Sequence, residues 1–233
     1  MITLFKIELK KVPVTYLLWA YVTVWATISF ISYASLAHLS RQYSLERSWS
    51  IFQETAQMAM PPLMIIVTTA TVMMLMAYEY DSGMWRYLTL FPIRKGAVLT
   101  AKLLTTFAVL SGAGISIFFA VVMASFAAGV TNTKGVFFIT AGPVLLAFPL
   151  MIFLLWTVAA SGNMLTPTLT GIALFLFIHI FAGWGVWLPW GPLATFGSML
   201  QSSQQDLISA ALALVLTSVL YFVISVMDVT NRL

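Results

Sequence analysis

The sequence contains no cysteine, which removes a disulfide framework, a thiolate metal site and a cysteine nucleophile from consideration. Charge is nearly as scarce: 8% of the 233 residues are Asp, Glu, Lys or Arg, against roughly 25% in a soluble domain. Eleven Lys and Arg against seven Asp and Glu leave a formal charge of +4, too thinly spread to make a polybasic field. A nucleic-acid binder is excluded on that count. The two histidines, His38 and His179, stand alone on different apolar runs. No lysine follows a glycine, so the phosphate-binding G-K-[ST] loop is missing and the chain does not itself hydrolyse ATP. H-E-x-x-H and G-x-S-x-G are missing too. An intramembrane hydrolase would need paired carboxylates or a Ser/His or Ser/Lys set inside an apolar run, and none is evident. The chain reads as a non-enzyme.

What is present is apolar. Hydrophobic types make up 61% of the sequence, against about 45–50% in soluble domains. A water-soluble fold of this size cannot hide that much apolar surface, and a disordered tail would not carry it. A spanning helix needs about 20 mostly apolar residues. Six runs qualify: 14–37, 58–78, 103–128, 136–160, 168–187 and 207–227. Continuous runs of this length are helices, because barrel strands would alternate over about 10 residues. The first run is longer than the apolar core of a signal peptide and is read as a retained span. The expectation is an all-α integral membrane protein of six transmembrane helices, a single transmembrane domain over residues 1–233.

Orientation follows from Lys and Arg in the short connecting segments. With the N-terminus inside, the inner segments hold Lys6, Lys10, Lys11, Arg86, Arg94, Lys95, Lys102 and Arg232, and the outer ones Arg41, Arg47 and Lys134. Both termini are therefore expected in the cytoplasm, and a bacterial cytoplasmic membrane is the simplest home.

Four segments outside the spans carry information. In residues 1–12, Ile2, Phe5, Leu9 and Val12 recur on one helical face, with Thr3, Lys6 and Lys10 opposite. Either an interfacial helix along the inner surface or a plain basic stop before the first span fits this pattern. Residues 41–57 hold balancing charges around Tyr43 and Trp49, consistent with a short outer interfacial helix. Residues 79–102 form the longest charged inner segment. Ser82 can cap a short surface helix over 83–90, with Met84, Leu88 and Phe91 on one face, and Pro92 ends the element, taken as 81–91 with its flanks. Residues 183–206 interleave glycine and proline with Trp184, Trp187 and Trp190. An outer segment over 188–206, including Pro192, either dips back into the bilayer as a re-entrant stretch or forms an ordinary aromatic belt.

Within the spans, Thr68, Thr69 and Thr71 make a polar stripe, and His179 is the one ionisable residue near the middle of a run. His179 serves either a structural hydrogen bond or a pathway, and Thr68, Thr71 and His179 are the pathway candidates. Gly112, Ser116, Ala120, Ala124 and Ala128 recur every four residues, a small-residue seam that permits close helix packing.

Glu79, Gly83, Leu88, Leu90, Pro92, Arg94 and Lys102 form E-x3-G-x4-L-x-L-x-P-x-R-x7-K. This pattern resembles the loop after the second span of ABC-2 type permeases, the membrane subunits of a class of ATP-binding-cassette exporters. The resemblance extends to the six-span layout, the basic N-terminal helix and the outer segment before the last span, where the family carries a re-entrant hairpin. It implies that the 81–91 helix is a cytoplasmic coupling helix. Glu79, Asp81, Gly83, Met84, Trp85, Arg86, Leu88, Phe91 and Pro92 are then the ATPase-coupling residues. It also implies a separate ATPase in two copies that holds ATP and Mg, with no cofactor on this chain. A second permease chain, identical or related, would complete the pathway, mainly along the second and fifth spans. Compact permeases of this kind resemble the bacteriocin and lantibiotic immunity group, so an amphipathic or antimicrobial peptide is the expected export substrate. A non-transporting scaffold or sensor subunit and an ion-coupled secondary transporter are the alternatives. The latter calls for more intramembrane carboxylates than this sequence has.

Overall fold

The computed structural model describes residues 2–12, 14–81, 95–130, 135–161, 163, 165–181, 188–194 and 204–232. Every element among them is helical: α1 (Ile2–Lys11), α2 (Val14–Gln42), α3 (Leu45–Asp81), α4 (Lys95–Ala127), α5 (Val136–Leu146), α6 (Phe148–Ser161), α7 (Leu165–Phe181), α8 (Gly191–Ala194) and α9 (Gln204–Arg232). By length and composition, four stretches of the described residues are able to cross a membrane: Leu17–Gln42, Leu45–Ala77, Gly96–Ala127 and Ile139–Ser161. Leu165–Leu176 and Leu214–Asp228 are shorter apolar helices. Apolar side chains as large as Trp19, Phe30 and Phe126 face outward, as a lipid-solvated bundle requires.

The helices outrun the apolar runs that announce them. α3 has 37 residues, about 55 Å of helix against a hydrocarbon core of about 30 Å. The expected outer interfacial helix over 41–57 and the expected span over 58–78 are one continuous element for most of their length. Pro61 and Pro62 lie inside that helix and do not end it. Trp49, read as an interface anchor, is instead buried and stacked on Phe52 at 5.5 Å, in a cluster with Leu36, Met60, Ile117 and Val136.

The expected fourth span, Ile139–Ser161 among the crossing stretches, carries a one-residue break in its helix. α5 stops at Leu146 and α6 starts at Phe148, with Ala147 between them at φ −76°, ψ −6°. Proline explains the break: Pro149 has no N–H to offer the Leu145 carbonyl four residues earlier, and its ring crowds that carbonyl. The ladder recovers at once, since Met151 N–H donates to the Ala147 carbonyl at 2.9 Å. α7 starts at Leu165 rather than 168, because the Asn163 side-chain oxygen accepts from the Leu165 N–H at 2.9 Å and caps it.

Small residues set how closely the helices approach. At Gly112 in the seam of α4, an added Cβ would lie 2.7 Å from the Tyr21 hydroxyl oxygen of α2. That hydroxyl donates to the Val109 carbonyl of α4. α3 and α7 meet at Gly171, where an added Cβ would collide with the branched side chain of Thr69. The main core joins α3, α4, α6 and α7 through Met64, Ile65, Leu110, Leu150, Leu154 and Leu174.

Gly171→Ala should therefore destabilise the fold by about 1–3 kcal/mol, because a β-branched neighbour has to move. Gly96→Ala should be nearly neutral, since its new Cβ would meet Val226 at an ordinary 3.5 Å. Thermal unfolding of both variants in one detergent checks this. Equal melting temperatures would refute the Gly171 contact.

Candidate functional site: the flank of the 82–94 segment and a groove at the opposite end

α3 and α4 are the two arms that leave and re-enter the segment carrying most of the expected coupling residues. Glu79 and Asp81 fall on the last turn of α3. Their side chains lie outside the described residues, as do Gly83, Met84, Trp85, Arg86, Leu88, Phe91 and Pro92. What the structure describes is the base on which that segment is mounted.

Lys102 stands two turns into α4 and is buried, with 4% of its side chain exposed. A lysine at such a position needs a partner, because desolvating an ammonium is expensive. The partner comes from α1, which packs on α4. Glu8 Oε2 accepts from Lys102 Nζ at 3.2 Å, and Glu8 Oε1 accepts from Lys11 Nζ at 2.9 Å. One carboxylate thus joins a cation of its own helix to a cation of α4. Leu75 and Met76 of α3, Thr105 and Thr106 of α4, and Leu155 of α6 close around the pair. The space left beside it is about 10 Å³, at most room for one water.

The N-terminal residues do form a separate helix, which decides between the two expectations for 1–12. Its buried side differs from the apolar face read in the sequence. Val12 is buried and Phe5 and Glu8 are half-buried, whereas Leu9 is 43% exposed. The helix is rotated so that its one carboxylate, rather than Leu9, meets α4. Sequence reasoning missed Glu8. The available signal was a lone acid among three lysines beside an apolar span, a residue that requires a partner. Asp228 was missed for the same reason: its Oδ2 accepts from the Trp156 indole N–H at 2.9 Å and joins α9 to α6.

The intramembrane candidates sit in packing. Thr71 donates its hydroxyl to the Val67 carbonyl at 2.7 Å, the back-bond usual for threonine in apolar helices. Thr68 is fully buried, and among the described residues neither its hydroxyl nor that of Thr69 has a hydrogen-bond partner. His179 lies on the last turns of α7, and its side chain is outside the described residues, as are Trp184 and Trp187.

Trp190 and Pro192 are described. Pro192 is buried in the short α8, and the Trp190 ring packs edge-on against Phe153 at 6.3 Å. Phe153 lies past the midpoint of the Val136–Ser161 run and also touches Tyr221 of α9. The 188–194 stretch therefore sits within the depth of the bundle, among α5, α7 and α9.

A groove of about 480 Å³ lies between α2 and α3, in the half nearer the turn at 43–44. Its walls are mostly apolar, among them Ile31, Leu39, Met60, Leu63 and Phe175. Thr27, Ser32, Ser35 and Thr55 add a hydroxyl-bearing strip. The surface the groove presents is almost wholly apolar, and the Thr55 hydroxyl is bonded to the Ile51 carbonyl of its own helix.

Comparison with curated proteins and with solved structures gives no match. A family model described as ABC-2 family transporter protein matches residues 4–183, from α1 through the end of α7 and beyond. That covers most of the chain, with both arms of the 82–94 segment and the groove inside it, and the protein belongs to the ABC-2 family of transporter proteins, a multi-pass membrane component of ABC transport.

Proposed function

We propose that this chain is the permease subunit of an ATP-driven exporter, with ATP and Mg held by a separate ATPase. The observation that carries the reading is the family membership over residues 4–183. Six spans place both termini on the cytoplasmic side of a bacterial cytoplasmic membrane, in line with the excess of Lys and Arg on that side. Leu165–Leu176 and Leu214–Asp228 belong to the fifth and sixth spans. Two ATPase copies act on two permease chains, identical or related. Closure of the ATPase pair around ATP pushes the 81–91 helix through Glu79, Asp81, Gly83, Met84, Trp85, Arg86, Leu88, Phe91 and Pro92. The push travels along α3 and α4 into the bundle.

The outer stretch around Trp184, Trp187, Trp190 and Pro192 is a re-entrant element. The depth at which Trp190 meets Phe153 supports it. Re-entrant backbone is tolerated where protein covers it, and buried Pro189, Pro192 and Leu193 meet that condition. The substrate is an amphipathic or antimicrobial peptide, or a similar hydrophobic molecule, as in the bacteriocin immunity group. The apolar lining of the α2–α3 groove supports the hydrophobic part of this class. Thr68, Thr71 and His179 serve the pathway from the α3 and α7 side.

Two experiments test the reading. Purification of the tagged chain from its native host in mild detergent should bring down an ATP-hydrolysing subunit, and the Gly83→Pro, Trp85→Ala double variant should lose it. A native chain that comes alone under several detergents would refute the exporter assignment. For the substrate class, Ala59→Trp would fill the groove from an exposed position on α3 without removing a buried side chain. It should keep the ATPase bound yet abolish stimulation of ATP turnover by a panel of cationic membrane-active peptides. Full stimulation in that variant would remove the groove from the pathway.

A further inference from the structure

We infer that Glu8 and Lys102 are a positioning pair that couples α1 to the base of the 82–94 segment, so that a displacement of that segment moves α1 with it. The inference rests on the exporter reading for the origin of the push, but the tether itself stands on geometry alone.

Three observations lead there. Lys102 is the last residue of the inner-loop motif, yet it is a buried side chain in the bundle. Its position two turns along α4 makes it part of the rigid arm on which the segment is mounted. Met76, one and a half turns from the end of α3, closes the same site, so both arms meet at the pair. Glu8 is the one carboxylate ahead of Glu46 in the sequence, and it lies on a helix otherwise rich in lysine. A plain basic surface helix needs no acid there. A helix that must follow α4 does.

The chemistry suits a joint. Apolar side chains in lipid slide past one another at little cost, since both positions bury the same surface. An ion pair at a buried position favours one geometry, because separating the charges gives up their mutual contact where water is scarce. Glu8 also accepts from Lys11 of its own helix through Oε1, which holds the carboxylate in place with Oε2 toward Lys102. The void beside the pair is too small for a ligand, which leaves a mechanical role rather than a binding one.

The test uses the absence of native cysteine. Val12→Cys places one thiol at a 5% exposed position immediately after α1, so a water-soluble maleimide reacts only when the end of α1 lifts away. In nanodiscs of the permease alone, Glu8→Gln and Lys102→Met should raise the labelling rate on the order of tenfold, an opening shift of about 1.4 kcal/mol. Lys102→Arg should keep the native rate. In the complex with its ATPase, ATP with vanadate should change labelling of the native pair but not of Lys102→Met, with the ATPase still bound. A merely structural role would leave that nucleotide response intact in every variant that folds. Native labelling rates in both Glu8→Gln and Lys102→Met would overturn the tether, and a preserved nucleotide response in Lys102→Met would overturn the coupling. If no ATPase co-purifies, the exporter reading falls and the coupling with it, while the nanodisc measurement still decides the tether.

Discussion

A peptide group in hydrocarbon finds no water, so its N–H and C=O must be satisfied by the chain itself. That constraint governs the rest of this structure. It is why each described element is a helix. It also decides what the many hydroxyls do. Thr105, Thr106, Ser116, Ser125, Thr140, Ser218 and Ser225 each donate to a carbonyl of the preceding turn. A polar stripe in an apolar helix therefore need not line a passage, since the backbone beneath can absorb its hydrogen bonds.

With backbone demands met inside each helix, the helices have no hydrophobic reason to associate, because lipid solvates them as well as they solvate one another. Close approach and a few polar contacts supply the specificity. Gly112 admits the Tyr21 ring, Gly114 admits Val144, and Gly171 admits Thr69. Among the described residues, two acids make charged contacts between helices. Glu8 joins α1 to α4, and Asp228 joins α9 to α6. Each is an acid that the surrounding apolar sequence would otherwise reject.

The class and most of the helices were legible in the sequence because length and hydrophobicity are summed over 20 residues or more, where local noise averages out. Boundaries were not, for reasons particular to each helix. α3 runs back to Leu45 through Arg47, Glu46 and Glu54, charges that end an apolar run but not a helix. Pro61 and Pro62 fall near the start of the 58–78 run but well inside the helix, which begins at Leu45. Pro149 puts a one-residue turn into the expected fourth span, which still crosses as one stretch over Ile139–Ser161. The N-terminal helix was legible in outline, but its orientation was not. Periodicity finds the apolar face, and the buried ion pair with Lys102 turns that face partly outward. Long-range pairings such as Glu8 with Lys102, or Trp156 with Asp228, leave no local trace. The coupling-helix expectation over 81–91 rests on resemblance and lies mostly outside the described residues, because glycine, proline and basic residues in an inner loop have no single physical meaning.

The two ends of the bundle are held by different physics. At the α1 end, ionic and hydrogen-bonded contacts tie α1 to α4 and α6 to α9. At the end nearer the 43–44 turn, Trp49 stacks on Phe52 among aliphatic neighbours, and the α2–α3 groove separates the helices. Polar contacts are directional and fail abruptly, whereas apolar ones tolerate sliding. The α1 end is therefore the part of the bundle where a change of geometry breaks specific contacts, and the far end is the part where helices can repack against apolar neighbours.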